Sequence, residues 1–467
     1  MVSKVGALGK HIALIGFMGA GKSTVGREVA RMTQRTFVDA DEEIEKRHGP
    51  IAQIFEERGE AAFRELEQGL VRELLRGHEP SVLALGGGAV LLEAVRDELK
   101  QRTFTVWIAV EESVAWERVE GSGRPLARDR ESFRRLFEER QPLYERASDG
   151  IAEDVDGVLL RALQVAIAPG RLSRPLSLGS RPIALVADPQ VAALHPLELS
   201  GVVSTHHLAA GEAAKRLEIV EGLWNAFEIG RDGAVVAFGG GTTTDVAGFA
   251  AAVYARGVPW IALPTTLVGQ VDAAIGGKTG VDLDRGKNLV GAFHYPNGVI
   301  VDQTLLETLP ERERRNGMAE VVKTGLLAGK AFWEEQDEEM VRSCAAFKCA
   351  ICLADPYEET GQRTVLNLGH TFAHALEAGS DYEVPHGQAV ALGLLAALRL
   401  SDQPTDVVEE VLGPQPVDAD ADAAWAALKR DKKGEGVFVL LEGPGNPVVT
   451  TVRDSEARRA LDALIRK

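Results

Sequence analysis

The feature that most narrows the possible folds is a glycine-rich turn near the N-terminus. His11-Ile-Ala-Leu-Ile15 is a short apolar run of strand character. It leads straight into Gly16-Phe-Met-Gly-Ala-Gly21-Lys22-Ser23-Thr24, a G-x-x-x-x-G-K-[ST] pattern, and then into a helical stretch from Thr24 to Met32. Strand, glycine loop and helix in that order predict an α/β domain with a parallel sheet. Glycines let the backbone N–H groups curl round phosphate oxygens, and the helix dipole faces the same anion. Lys22 would reach the β- and γ-phosphates and Ser23 would ligate magnesium. Gly19, Ala20, Gly21, Lys22, Ser23 and Thr24 are the candidate nucleotide contacts. The strand before and the helix after argue against a chance match.

A chain of 467 residues has room for two to four domains, and 45 % hydrophobic residues can fill their cores. No apolar run is long enough to cross a bilayer, and Met1 to Lys10 do not read as a signal peptide, so a cytoplasmic location is expected, without membrane contact. A net charge of −17 disfavours nucleic acid as a partner. Small anions remain possible ligands where Lys and Arg converge. The three cysteines, Cys344, Cys349 and Cys352, include a C-x-x-C spacing without a second pair, which fits a buried helix face better than a zinc knuckle.

Beyond the glycine loop come Phe-Val-Asp39-Ala-Asp41, Phe63-Arg64-Glu-Leu-Glu, the run Val82-Leu-Ala-Leu-Gly86-Gly87-Gly88, Gly123-Arg124-Pro-Leu and Glu-Arg140-Gln-Pro-Leu-Tyr144. Asp39 and Asp41 read as alternate residues of a strand end, one facing the metal and one an acceptor; a helix cap is the plainer alternative. Three separated arginines suit a carboxylate ligand. The set resembles shikimate kinase over nearly the whole segment. That resemblance implies that Lys22 and Ser23, with Asp39, hold ATP and Mg2+. It makes Asp41 the residue that contacts and orients the acceptor hydroxyl, Arg64 and Arg140 a clamp on the shikimate carboxylate, and Gly87 a neighbour of the ring. Arg124 would belong to the lid and reach the transferring phosphate, and Arg118 would stack on adenine. The lid sequence, 121–130, is short.

A plausible last helix spans Leu159 to Ile167, and three prolines and two glycines between Pro169 and Pro182 mark a linker, placing a boundary near 168. Ile183-Ala-Leu-Val-Ala-Asp188 then reads as a buried strand with a carboxylate at its end. Ala234-Val-Val-Ala-Phe-Gly239-Gly240-Gly241-Thr-Thr-Thr-Asp245 reads as strand, glycine turn and helix, a place where a dinucleotide pyrophosphate could approach the backbone. It is not G-x-G-x-x-G, so the pattern alone leaves a cofactor undecided. Pro264-Thr265-Thr266, Asp272, Gly276-Gly277-Lys278 and Gly286-Lys287-Asn288 follow, with the lysines expected in short glycine-rich turns. From about 310 the sequence is mostly helical, with an acidic, proline-bearing loop expected over 401–422. It carries Glu320, Lys323, Arg363, Asn367, His370, His374 and His386. His370 and His374 are four apart and share a helix face. Two imidazoles and one carboxylate with an open position suit catalytic zinc; packed helix histidines are the alternative.

From about 183 to 441 these motifs together resemble 3-dehydroquinate synthase. The resemblance implies an α/β NAD-binding subdomain (169–309) and a mostly helical metal- and substrate-binding subdomain (310–467), behind a P-loop kinase domain (1–168). Glu320, His370 and His386 would bind Zn2+ or Co2+, and His374 would contact the substrate and shuttle protons. Asp188, Gly240, Gly241, Asp245, Thr265, Thr266, Asp272, Lys278 and Lys287 would line the NAD pocket. Lys278, Asn288, Lys323, Arg363, Asn367 and one of Lys432 or Lys433 would hold the carboxylate and phosphate of 3-deoxy-D-arabino-heptulosonate 7-phosphate. Arg256 would reach the second active site of a homodimer. One residue appears inserted between Lys348 and Glu359. Two other readings stay open: a related sugar-phosphate cyclase or alcohol dehydrogenase for the C-terminal part, and a nucleotide-sensing module without turnover for the N-terminal part.

Overall fold

The computed structural model describes residues 5–121, 129–284, 286–431 and 436–466. The chain separates into two units, the first comprising 1–164 and 349–354, the second 165–348 and 355–467.

In the first unit β1 (His11–Ile15), β2 (Phe37–Asp39), β3 (Val82–Ala84), β4 (Thr103–Ile108) and β5 (Gly150–Ala152) form a parallel sheet in the order β2-β3-β1-β4-β5. Every residue of β1 is buried, as expected for a central parallel strand covered on both faces. All five strands point the same way, so the loop after β1 and the segments after β2 and β3 meet at one sheet edge. Gly19 in that loop has φ 80, and a Cβ there would lie 2.6 Å from the Ala115 carbonyl oxygen, so no other residue fits without displacing the backbone. The helix Lys22–Thr33 starts immediately behind it.

In the second unit β6 (Val165–Ile167), β7 (Ile183–Ala187), β8 (Val202–His207), β9 (Ala234–Gly239), β10 (Trp260–Pro264) and β13 (Gly298–Val301) form a parallel sheet in the order β6-β13-β10-β9-β7-β8. β11 (Lys278–Leu283) and β12 (Gly286–Phe293) pair as a separate antiparallel hairpin. The chain beyond 310 is chiefly helical: Glu311–Ala328, Asp337–Ala354, His370–Gly379, His386–Leu400, Ala421–Asp431 and Asp454–Asp462, with a hairpin of β14 (Val437–Gly443) and β15 (Asn446–Thr451). Of the 15 residues in His386–Leu400, 11 are buried, so this helix is surrounded rather than amphipathic. Among the described residues no helix is long and apolar enough to cross a membrane.

Four local expectations are corrected. The helix expected over 159–167 is Val155–Ala162, and 165–167 is an edge strand of the second sheet. Asp41 lies on the helix Ala40–His48, not on a strand. Lys278, Lys287 and Asn288 sit on the β11–β12 hairpin strands rather than in turns. The stretch 401–422 includes the helix Asp406–Val411.

Candidate active sites

In the first unit, Asp39 ends β2 and does two jobs. Its Oδ1 accepts from the Asp41 and Glu42 amides at 3.0 and 3.3 Å, capping the next helix, while its Oδ2 accepts the Ser23 hydroxyl at 2.5 Å. The plainer cap reading and the metal-side reading are therefore compatible. The Lys22 ammonium donates to the Gly16 and Phe17 carbonyls at 2.9 and 3.0 Å, folded over its own loop. Arg118 donates to the Gly19 carbonyl at 2.9 Å. Gly19, Gly21, Lys22, Ser23, Thr24 and Arg118 line one small cavity, and Ala20 is buried behind it.

An adjoining cavity of about 390 Å³ is lined by Asp39, Asp41, Arg64, Glu67, Gly87 and Arg140, among others. Arg140 and Tyr144 both donate to the Gly87 carbonyl, at 3.0 and 2.7 Å, which fixes the glycine turn against the helix Arg130–Ala147. Arg64 pairs with Glu67 at 2.7 Å. Burial pushes the Glu67 carboxyl up, only partly opposed by Arg64. Arg64 Nε and Arg140 Nε are buried without a protein partner among the described residues. Both arginines line this cavity, and the positive charge they place there suits an anionic ligand. Arg124 lies outside the described residues.

In the second unit the carboxyl ends of the neighbouring strands β7, β9 and β10 carry Asp188, Gly239–Gly241 and Thr265–Thr266. The Asp188 amide donates to the Phe238 carbonyl at 2.9 Å and the Thr265 amide to the Gly239 carbonyl at 3.0 Å, so the three segments adjoin. The Asp188 carboxylate caps the helix Pro189–Leu194 through Oδ1. A Cβ on Gly240 would come within 3.0 Å of Thr266, and the helix Gly241–Val253 aims its N-terminus here. The Thr265 hydroxyl oxygen is buried without a protein partner among the described residues. Bare backbone, a helix N-terminus and an open hydroxyl form a cradle that fits a dinucleotide pyrophosphate. Asp245 pairs with the buried Lys215 at 2.9 Å, and Lys215 also donates to Asn288 at 2.6 Å.

Glu320, His370 and His386 converge although three helices supply them. Each offers one ligand atom, and the three atoms lie within 4.8 Å of one another. His370 Nε2 is 3.4 Å and His386 Nε2 3.2 Å from Glu320 Oε1. The far nitrogens are engaged elsewhere: His370 Nδ1 with the Leu368 carbonyl at 3.2 Å, His386 Nδ1 with Glu377 at 3.0 Å. Burial would raise the Glu320 carboxyl, but the Lys323 ammonium and His370 hold it well below the usual range. Two imidazole nitrogens and a carboxylate facing one point are a donor set that fits zinc or cobalt. Gly369 sets the geometry: it has φ 77, and a Cβ there would lie 2.8 Å from the Leu394 amide nitrogen. His374 is not in this group; it is exposed, with its ring 5.6 Å from that of His370.

Several cations of the same unit pair with carboxylates, one of them Glu320. Lys323 bridges Glu320 at 2.5 Å and Asp272 at 3.5 Å, and Lys348 pairs with the same Asp272. Lys278 pairs with Glu358, whose carboxylate also lies 4.0 Å from Arg363. Burial pulls the Lys278 ammonium pKa down, with Arg363 adding to the effect and Glu358 opposing it. Lys287 lies 3.4 Å from Glu377. Asn367 is exposed at the end of the turn before His370. Arg256 is exposed at φ 68, with no ion pair to this group among the described residues. Lys432 and Lys433 lie outside the described residues.

Residues 205–316 match the family model for the 3-dehydroquinate synthase N-terminal domain, and 317–433 that for its C-terminal domain. A 3-dehydroquinate synthase of Latilactobacillus sakei subsp. sakei is 39 % identical over 303 residues, covering 58 % of this chain and 85 % of the relative. The chain belongs to the 3-dehydroquinate synthase family. Residues 18–158 match the model for shikimate kinase, so the synthase follows a fused kinase segment. Among solved structures, a 2-epi-5-epi-valiolone synthase from Streptomyces hygroscopicus subsp. jinggangensis with NAD+ and Zn2+ bound is 27 % identical, at TM-score 0.52, over 64 % of this chain and 96 % of that one. A 2-deoxy-scyllo-inosose synthase complexed with carbaglucose-6-phosphate, NAD+ and Co2+ shares the fold, at 24 % identity and TM-score 0.56, over 64 % of this chain and 96 % of that one.

Sequence reasoning assigned no role to Glu67, Lys215, Lys348, Glu358 or Glu377, all charged residues in direct contact with a candidate site residue. Glu67 and Glu377 each follow a named candidate by three residues, at Arg64 and His374, the spacing of one helix face. That signal was available. For Lys348 and Glu358 only the folded chain brings the partners together.

Proposed function

We propose that the chain carries two active sites serving one biosynthetic route. The kinase part transfers phosphate from ATP to shikimate, giving shikimate 3-phosphate. The synthase part cyclises 3-deoxy-D-arabino-heptulosonate 7-phosphate to 3-dehydroquinate with loss of phosphate. The functional division we propose is 1–168, 169–309 and 310–467. The observation that carries the synthase reading is the convergence of Glu320, His370 and His386 beside Lys323.

For the kinase, Gly19 to Thr24 surround the nucleotide phosphates, and Ser23 with Asp39 hold Mg2+. Arg64 and Arg140 clamp the shikimate carboxylate, Gly87 packs on the ring and Asp41 orients the attacking hydroxyl. Arg118 faces the nucleotide, and Arg124 reaches the transferring phosphate from the lid. Phosphoryl transfer asks chiefly for alignment and charge neutralisation, which these groups provide.

For the synthase, Glu320, His370 and His386 would hold Zn2+ or Co2+. Asp188, Gly240, Gly241, Asp245, Thr265, Thr266, Asp272, Lys278 and Lys287 would line the NAD pocket. When bound, the metal supplies Lewis acidity at a ring hydroxyl and NAD supplies reversible hydride acceptance. The chain's own work is positional. Lys278, Asn288, Lys323, Arg363 and Asn367, with Lys432 or Lys433, fix the substrate's carboxylate and phosphate, so that successive steps become effectively unimolecular. His374 moves protons at the open side of the site. A homodimer in which Arg256 reaches the neighbouring site belongs to the same proposal.

The test is product analysis with the purified chain. ADP release should depend on shikimate, and phosphate release from the heptulosonate phosphate should yield dehydroquinate. ATP loss indifferent to shikimate would favour a nucleotide sensor. Turnover of a different sugar phosphate in its place would favour a related cyclase.

A further inference from the structure

Glu377 has no role in the site as assembled so far, yet it is 1 % exposed. It stands on the helix His370–Gly379, which also supplies His370 and His374. One oxygen, Oε1, faces His386 Nδ1 at 3.0 Å and Lys287 Nζ at 3.4 Å. The backbone is pinned at the same residue: the Tyr382 amide donates to the Glu377 carbonyl at 2.7 Å, and the Lys287 ammonium lies 5.0 Å from the Tyr382 ring centroid. The turn that carries the chain from His374 to His386 thus closes on Glu377. Asp381 and Tyr382 in that turn adopt φ 49 and 63, so its path is specific.

We infer that Glu377 is a positioning residue: by accepting the Nδ1 proton of His386 it fixes the tautomer whose Nε2 lone pair faces the same point as Glu320 and His370, and through Lys287 it ties that histidine to the β11–β12 hairpin. The inference rests on the proposed metal site. An imidazole ligates through one nitrogen only when the other keeps its proton, and a carboxylate behind it also raises ligand basicity. Glutamine at 377 retains an oxygen that accepts the Nδ1 proton but loses the charge that attracts Lys287. Alanine loses both.

The experiment titrates Co2+ into the metal-stripped full chain and reads both the dissociation constant and the visible absorption band of the bound ion. Parent, Glu377→Gln and Glu377→Ala are compared, with thermal melts of each metal-stripped chain to show that all three are folded. The expected result is a 10- to 100-fold weaker affinity for Glu377→Ala together with an altered band, and a smaller loss for Glu377→Gln with the parent's band. A merely structural role would shift the melt and leave the band of the bound ion unchanged. Glu377→Ala binding Co2+ within threefold of the parent, with the same band, overturns the inference. Failure of the parent itself to bind Co2+ would instead overturn the metal site on which it rests. If Glu377→Ala does not fold, the decision passes to Glu377→Gln against Glu377→Asp: parent-like affinity in both, although Asp is too short to reach His386 Nδ1 from the same backbone, also overturns it.

Discussion

At Glu67, burial and pairing pull in opposite directions, and burial wins: the carboxyl titrates above its ordinary range. In the unfolded chain it loses its proton earlier. Between the two values the folded state binds more protons, so the contribution to stability is present on the acid side and is lost as pH rises through the folded value. Urea midpoints measured from pH 4 to 7 should therefore fall less steeply with pH in Glu67→Gln than in the parent; parallel curves would contradict this. Gly88 makes a second test, because a Cβ there would lie 2.0 Å from Arg64 Nη1. Gly88→Ala should push the guanidinium aside and raise KM for shikimate roughly tenfold, about 1.4 kcal/mol, with KM for ATP unchanged. Arg64 and Arg140 were legible as candidate anion ligands from their place among glycines and strands. What opposes them was only half legible: the spacing puts both Glu60 and Glu67 on the helix face of Arg64, and only packing shows that Glu67 is the buried partner.

The elements divide the same way. The strand–glycine–helix units at Gly16–Thr24 and Gly239–Asp245 could be read directly, because a buried parallel strand is an apolar run and its carboxyl end must turn sharply. Gly240→Ala should weaken NAD binding by about tenfold in calorimetry, through crowding against Thr266, while leaving shikimate phosphorylation intact. Unchanged NAD affinity would remove the glycine cradle from the cofactor site. The β11–β12 hairpin was misread as turns because Gly276 and Gly277 precede β11 and Gly286 opens β12, while the glycines within it have a different cause. Gly280 and Gly291 face each other across it, and a Cβ on Gly291 would lie 2.2 Å from the Thr279 carbonyl oxygen. These glycines mark two strands in close approach, a meaning that glycine carries in a strand as readily as in a loop. Likewise Asp39 and Asp41 straddle the switch from β2 to the next helix, where alternation no longer decides which way a side chain points.

For the whole molecule, motif order gave both catalytic parts, whereas the convergence of Glu320 with His370 and His386 required the helices Glu311–Ala328 and His370–Gly379 to pack against the buried helix His386–Leu400. The two proposed sites call for different metals, which has a simple consequence. After chelation and dialysis, Mg2+ with ATP should restore shikimate phosphorylation alone, and dehydroquinate formation should return only when Zn2+ or Co2+ is added with NAD. The most direct measurement of the central claim crosses two lesions in the full chain, Lys22→Met in the glycine loop and Glu320→Gln in the metal group, and assays both reactions in each. The expected result is a reciprocal pattern: Lys22→Met loses shikimate phosphorylation by at least 100-fold and keeps dehydroquinate formation, and Glu320→Gln does the reverse. Retention of dehydroquinate formation at the parent rate in Glu320→Gln, or loss of both reactions from either well-folded variant, would contradict it.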